Sequence, residues 1–382
     1  AGGGFLVIAR SPEDVQSVYG LSGVLGPFTN NLPNSSGNVS LISRAGGVFL
    51  DANYGSTPPW PASADGAGHS LILARPSLGE GNPLAWAASD AVGGSPARLD
   101  PVTSEPQKQV VINEYLAHAD SSQDRFVELF NRSLDPVDIS GCSLSDDPNT
   151  NYFTFAAGTV LPARGFASLN ETELGFSLKA SGGLILFRNA AGTRILDAVR
   201  YDDQQKGISC GRFPDGTAAF RPLAAPTAGT KNQTPLVSDI VINEIMYAPI
   251  SLNSDDQYVE LYNRSGSTVN LGGWKFVSGI SFTFPDNAIV PPGGYFVVAR
   301  NASRMLTNYA NLNSNNLAGN FGGSLSGKGE RLALARTDAF VSTNATGAMT
   351  TNTIYPVVNE VTYGTGGNWG QWSDGGGSSL EL

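Results

Sequence analysis

The chain has 382 residues, enough for two or three domains of roughly 100–200 residues each. Its 23 Lys and Arg residues against 33 Asp and Glu leave a net charge of −10. That balance opposes nucleic-acid binding, which needs clustered Lys and Arg against phosphate, and it opposes docking on an anionic membrane surface. No apolar run reaches the roughly 18–20 residues that span a bilayer, so no membrane insertion is expected.

The chain opens on Ala, without a recognisable signal peptide, as a processed protein or an excised fragment would. "AGGGFLVIAR" begins the chain. "SPEDVQSVYG" follows, with Ser11 at the N-cap, Pro12 in the first turn and Asp14 behind it, and is the best helix signal in the chain. "SGNVSLISRAGGVFLDANYG" from Ser36 reads as a hairpin, and "ADGAGHSL" from Ala64 as an Asp-Gly turn leading into a strand. After the polar linker "RLDPVTSEPQ" come "VVINEY", "RFVELF", "GCSLSD", "GFASL", "GLILF" and "ILDAVRY", separated by Gly, Pro, Asn and Asp clusters. A second linker, "TKNQTPLVS", leads to "IVINEI" and a similar series.

These segments repeat. "VVINEYLAHADSSQDRFVELFNRS" from Val110 matches "IVINEIMYAPISLNSDDQYVELYNRS" from Ile240, with a loop of different length in the middle. "LPARGFASLN" at Leu161 matches "VPPGGYFVVAR" at Val290, and both match the first ten residues of the chain. The chain therefore holds three copies. Residues 1–100 form a back portion without its front strands, about 55 residues short by the third copy's measure. Residues 107–233 form a complete copy and residues 238–382 a nearly complete one. Seven to nine short strands in roughly 120 residues imply an all-β chain of tandem immunoglobulin-like antiparallel β-sandwiches. The missing strands of the first copy are expected from preceding sequence or from a neighbouring chain, because half a sandwich exposes its core and its sheet edges.

In its motif order, "VINE", "VEL(F/Y)NRS", "G(C/W)", "PPGGYFVVAR" and the Asp-Gly turn, the chain resembles the lamin tail domain family, and in particular its bacterial secreted branch. The resemblance implies an immunoglobulin-like sandwich without catalytic residues. Members of that branch sit beside hydrolases or nucleases in larger polypeptides, and no such domain is present here. The heptad rod and prenylation signal of nuclear lamins are also missing, so a nuclear role does not carry over.

The repeated acidic residues are the most suggestive chemistry. Glu114 and Glu128 in the middle copy, and Glu244 and Glu260 in the third, lie on apolar strands. In "FVELF", Glu128 shares a strand face with two aromatics. It is expected to accept hydrogen bonds from a neighbouring loop backbone or to pair with Arg132, as Glu260 would with Arg264. The alternative is calcium, held by Glu244, Asp255, Asp256 and Glu260, although no EF-hand spacing is present. No other cofactor is expected. The two histidines, His69 and His118, stand in different copies without a retained partner, and no GxSxG, HExxH or P-loop motif occurs, so an enzyme is not expected. Asn131 and Asn263 occupy one repeat position and are expected to cap a turn; they are also sequons, as are Asn34, Asn38, Asn170, Asn232, Asn301 and Asn344. Trp60, Trp274 and Trp369 read as core residues, although a platform of Trp60, Trp369 and Trp372 would suit a glycan. Cys142 aligns with Trp274, and Cys210 with Trp60 and Trp369. If the two Trp columns meet in the core, a Cys142–Cys210 disulfide replaces that contact, which implies an oxidising compartment.

The functional expectation is a non-catalytic secreted or cell-surface structural segment of a larger bacterial protein: a stalk, spacer, adhesive element or filament-forming array. Its expected partners are neighbouring domains of the same polypeptide or adjacent chains. The alternatives are a ligand-binding module for glycans or a surface protein, and a calcium-rigidified spacer attached to an unseen hydrolase.

Overall fold

The computed structural model describes residues 3–150, 152–343, 346–366 and 369–382. The chain divides into two compact units, residues 1–201 with 209–234, and residues 202–208 with 235–382.

In the first unit, the middle copy forms two facing antiparallel sheets. One has the strand order Phe166–Asn170, Phe126–Asn131, Val110–Leu116, Cys210–Arg212 and Phe220–Pro222. The other has the order Ile195–Asp203, Ser181–Arg188, Ser143–Ser145 and Phe153–Thr154. Alternation sends Val127 and Leu129 inward to meet Leu144, Ile185 and Phe187 of the opposite sheet, all fully buried. The outward residues Phe126, Glu128 and Phe130 are buried as well. Phe130 stacks on Phe166 at 4.8 Å, with the Arg164 guanidinium 5.7 Å above its ring. A central strand covered on both faces explains why its run is apolar rather than alternating.

The second unit repeats this arrangement. Leu317–Gly319, Tyr295–Ala299, Tyr258–Asn263, Ile240–Met246 and Leu380–Glu381 make one sheet, in which the first pair is parallel. Phe282–Thr283, Lys275–Ser278, Glu330–Ala335 and Val357–Tyr363 make the other. Both units hold an immunoglobulin-like β-sandwich.

Residues 3–100 are different. They form two hairpins, Ser36–Ile42 with Val48–Gly55 and Leu71–Leu73 with Trp86–Ala88, and a parallel bridge from Ile8 to Leu25. The helix expected after Ser11 runs over Pro12–Tyr19 and stops at Gly20, whose φ of 64° closes the C-terminus. Ser11 holds the N-cap position without a side-chain hydrogen bond. This half-sandwich packs on the middle copy. Ala62 and Ala67 join Leu184 and Leu186 in one buried cluster. His69, buried, donates from Nδ1 to the Ser89 carbonyl at 2.7 Å and accepts the Ile195 N–H at Nε2 at 3.0 Å. The Asp90 carboxylate, 4% exposed, accepts from Arg194 Nε and Nη2 at 3.0 and 2.8 Å, from Thr103 Oγ1 at 2.8 Å, and from Lys108.

Candidate functional site

The acidic pairs are cross-strand neighbours. A bulge between Ile112 and Glu114 shifts the ladder so that Glu114 faces Glu128, and a bulge between Ile242 and Glu244 sets Glu244 opposite Glu260. Like charges directly opposed on a sheet are unfavourable unless other groups stabilise them. In the middle copy those groups come from the segment after the last strand. Glu114 accepts the Thr227 N–H at 3.0 Å and the Thr227 hydroxyl at 2.7 Å. Glu128 accepts the Gly229 N–H at 2.6 Å and the Asn113 amide at 3.0 Å. The same Asn113 amide also reaches Asp215, whose carboxylate takes the Asn232 N–H at 3.1 Å. Residues 227–232 are thus stitched back onto the sheet. Both glutamates are fully buried. Burial, reinforced by the facing Glu114 charge, pushes the Glu128 carboxyl up to about 8, and burial raises Glu114 as well.

In the third copy, Glu244 accepts from the Tyr258 hydroxyl at 2.7 Å and from the Ser379 hydroxyl, and Glu260 accepts from the Asn243 amide at 2.9 Å. Burial raises Glu260. The arginines expected as partners turn elsewhere: Arg132 donates to the Lys108 carbonyl and Arg264 to the Ser238 carbonyl.

The calcium set does not assemble. Asp255 and Asp256 sit on the short turn Ser254–Asp256, and Arg304 grips Asp256 through Nε at 2.5 Å and Nη2 at 2.9 Å. That guanidinium holds the Asp256 carboxyl below its ordinary value. Asp255 accepts the Asn301 amide at 3.3 Å, with Arg300 at 3.8 Å. Glu244 and Glu260 remain on the sheet with their own donors. Among the described residues, no three His, Cys, Asp or Glu side chains are grouped as metal ligands.

The Cys142–Cys210 bond is not formed; both cysteines are reduced thiols. Cys142 lies at the turn end of the Ser181–Arg188 and Ile195–Asp203 hairpin, where neighbouring Gly141 packs on Ala190. Cys210 pairs with Tyr115, whose ring lies 4.9 Å from that of Tyr201. From Ile195 to Tyr201 the strand covers about 20 Å at about 3.3 Å per residue, so the thiols stand at opposite ends of the sandwich. The Trp columns are separated in the same way. Trp274 precedes Lys275, at the Ala335 and Val357 end of its sheet, whereas Trp369 packs on Gly364 beyond Tyr363 at the other end. Both flank the core of the second unit. Trp60 packs against Trp86 in the first unit, ring centroids 6.3 Å apart and planes tilted by 44°, and Trp372 in the second unit is 76% exposed.

Asn131 and Asn263 make identical networks. Each amide donates to three carbonyls, those of Asp135, Leu161 and Pro162 for Asn131 and those of Ser267, Val290 and Pro291 for Asn263. Each oxygen accepts from the serine two residues on. Fully buried, neither side chain has room for a glycan. The sequon at Asn344 lies outside the described residues.

One column escaped sequence reasoning. Asp197 accepts the Ile112 N–H at 2.8 Å, and Asn359 accepts the Ile242 N–H at 2.9 Å, joining the two sheets of each sandwich at the start of the "VINE" strand. Its signal lay in the aligned segments "ILDAV" and "VVNEV".

A shared bulge, shared acid pair and shared Asn network place residues 110–131 and 240–263 in one structural family. The family model named Lamin Tail Domain matches residues 103–203 and 233–368. The chain belongs to the lamin tail domain family. No curated protein and no solved structure matches it. The lamin tail domain is a structural immunoglobulin-like module, and the repeated carboxylates here are held by internal hydrogen bonds, Glu114 and Glu128 by backbone N–H groups among others and Glu244 and Glu260 by side chains.

Proposed function

We propose that this chain is a non-catalytic structural segment, a spacer or stalk of tandem lamin tail domains on a secreted or surface-exposed protein. The observation that carries the reading is the fate of Glu114 and Glu128. These are the most enzyme-like groups in the sequence, and both are fully buried with hydrogen bonds from Thr227, Gly229 and Asn113. A general acid must reach a substrate proton directly or through one water. The packing of His69, Asp90 and Arg194 supports a load-bearing use, since it ties the first copy to the middle one through buried polar contacts. Sparse surface charge and turn-rich strands suit an exported chain.

Single-molecule pulling on the full chain tests this, together with a panel of glycoside, ester, peptide and phosphoester substrates and a glycan array. Discrete unfolding events, no turnover and no glycan binding are expected. Turnover abolished by Glu128→Gln, or saturable glycan binding, would overturn the reading. Protease shaving of intact source cells tests the location: digestion from outside is expected, and full protection would refute it.

A further inference from the structure

The first copy carries an open seat for a β-hairpin. In the third copy, Tyr295–Ala299 pairs with Leu317–Gly319 on one edge and with Tyr258–Asn263 on the other. The matching segment Phe5–Ala9 keeps the first partner as the Ile8–Leu25 bridge, but among the described residues no strand lies on its other edge. The core-facing positions show the consequence. Phe296 and Val298 are 2% and 0% exposed, whereas their counterparts Leu6 and Ile8 are 66% and 54% exposed. The opposite sheet agrees. Gly37 packs on Tyr54 as Gly183 packs on Tyr201, which fixes the register between the copies. In that register Val39 and Leu41, at 42% and 52%, correspond to the fully buried Ile185 and Phe187. Phe5–Ala9 and Leu71–Leu73 line one apolar cleft. Their counterparts in the middle copy, Phe166–Asn170 and Phe220–Pro222, are the two outer strands of a five-stranded sheet. The "VINE"/"VEL" hairpin lies between them there.

We propose that the first copy is completed by a β-hairpin of the V-I-N-E/V-E-L pattern, seated between Phe5–Ala9 and the Leu71–Leu73 side and over Val39 and Leu41, and carried by the same polypeptide ahead of this segment. The source follows from repeat order, since in both other copies this hairpin precedes the "GGxF"-type strand. It also follows from occupancy. The chain's own two hairpins are paired on both edges, Val110–Leu116 with Cys210–Arg212 and Phe126–Asn131 with Phe166–Asn170 in the middle copy, so lending one out would break its own sandwich. Completion by strand addition relies on ladder hydrogen bonds for affinity and on alternate side chains for register. The inference stands whether or not the segment is a surface spacer.

The test is a fusion that places residues 107–163, the front half of the middle copy, directly ahead of the full chain. Amide exchange is compared in the fused and unfused proteins. Exchange at Phe5–Ala9 and Ser36–Ile42 is expected to slow by about tenfold or more in the fusion, as closed sheets protect their amides. Leu41→Asp in the fusion should remove much of that protection and Leu41→Phe should keep it, because Phe187 already fills that position in the middle copy. Unchanged exchange in the fusion, or equal protection in the Leu41→Asp fusion, would overturn the proposal. So would self-association of the unfused chain with protection at Phe5–Ala9 and loss at Val110–Asn131, which would make a second copy the donor.

Discussion

Replacing Glu128 by Gln changes how the middle sandwich responds to pH. An unfolded Glu titrates near 4.3, whereas burial beside Glu114 pushes Glu128 up to about 8. The folded state therefore binds the proton more tightly than the unfolded chain. The resulting stability is fully present below about pH 4.3 and is lost as pH rises through about 8. Between those limits the wild-type sandwich should weaken by about 1.4 kcal/mol per pH unit from this group, or about 2 kcal/mol from pH 6 to 7.5. Gln carries no such dependence, and its single oxygen can serve either the Gly229 N–H or the Asn113 amide but not both well. At pH 5 the variant should therefore be less stable by about 1–2 kcal/mol, the scale of one unsatisfied buried donor. By pH 8 the order should reverse. Glu114 titrates in both proteins, so the difference between them isolates Glu128. The assay is hydrogen exchange at Val110–Leu116 and Phe126–Asn131, corrected for the intrinsic pH dependence of exchange. Parallel stability curves from pH 5 to 8 would refute the reasoning.

Asp90→Ala strands Arg194 and Lys108 at the junction between the first and middle copies, and should destabilise it by about 3 kcal/mol, read as faster exchange at Leu71–Leu73 and Ile195. His69 is held neutral, its imidazole lowered chiefly by burial, so its contribution is present above about pH 6.5 and fades as pH falls below that value. Acidification to pH 5 should speed exchange at the Ile195 amide, and His69→Asn should flatten that response. Burial pushes the Cys142 and Cys210 thiols up to about 11 and about 12, so iodoacetamide at pH 8 should leave both unmodified in the native protein and modify both in urea; rapid native labelling would contradict their packing.

What was legible in the sequence was what the chain encodes locally. The repeated hairpins, the Asp-Gly turns and the Pro12–Tyr19 helix are each specified by a few adjacent residues, and comparison of copies exposed the missing front strands of the first. The partners of the buried glutamates were not legible, because Thr227 and Gly229 act through backbone N–H groups that any residue but proline supplies. The calcium reading failed for a related reason. Asp256 lies near Glu260 in sequence, but Arg304, on the helix Ala302–Asn308, reaches it first. The cysteine argument erred on geometry: a repeat column fixes which strand a residue occupies, not that two such columns lie at the same level of the sandwich. The Asp197 and Asn359 column was present in the alignment, but a short polar side chain in a strand gives no sign that it bridges two sheets.

The two "VINE"/"VEL" hairpins keep the same ladder, Glu114 to Glu128 and Glu244 to Glu260, although the loop between them is two residues longer in the third copy. The strands tolerate that change because the loop closes beyond the last paired residues, Leu116 with Phe126 and Met246 with Tyr258. Each doubling of a flexible loop adds only about 0.6 kcal/mol of closure entropy. The stretch around Ser121 and Ser122 is therefore a grafting point, where an epitope or a small reporter domain can be carried while the acidic pair, the bulge and the sheet order beneath it stay in place.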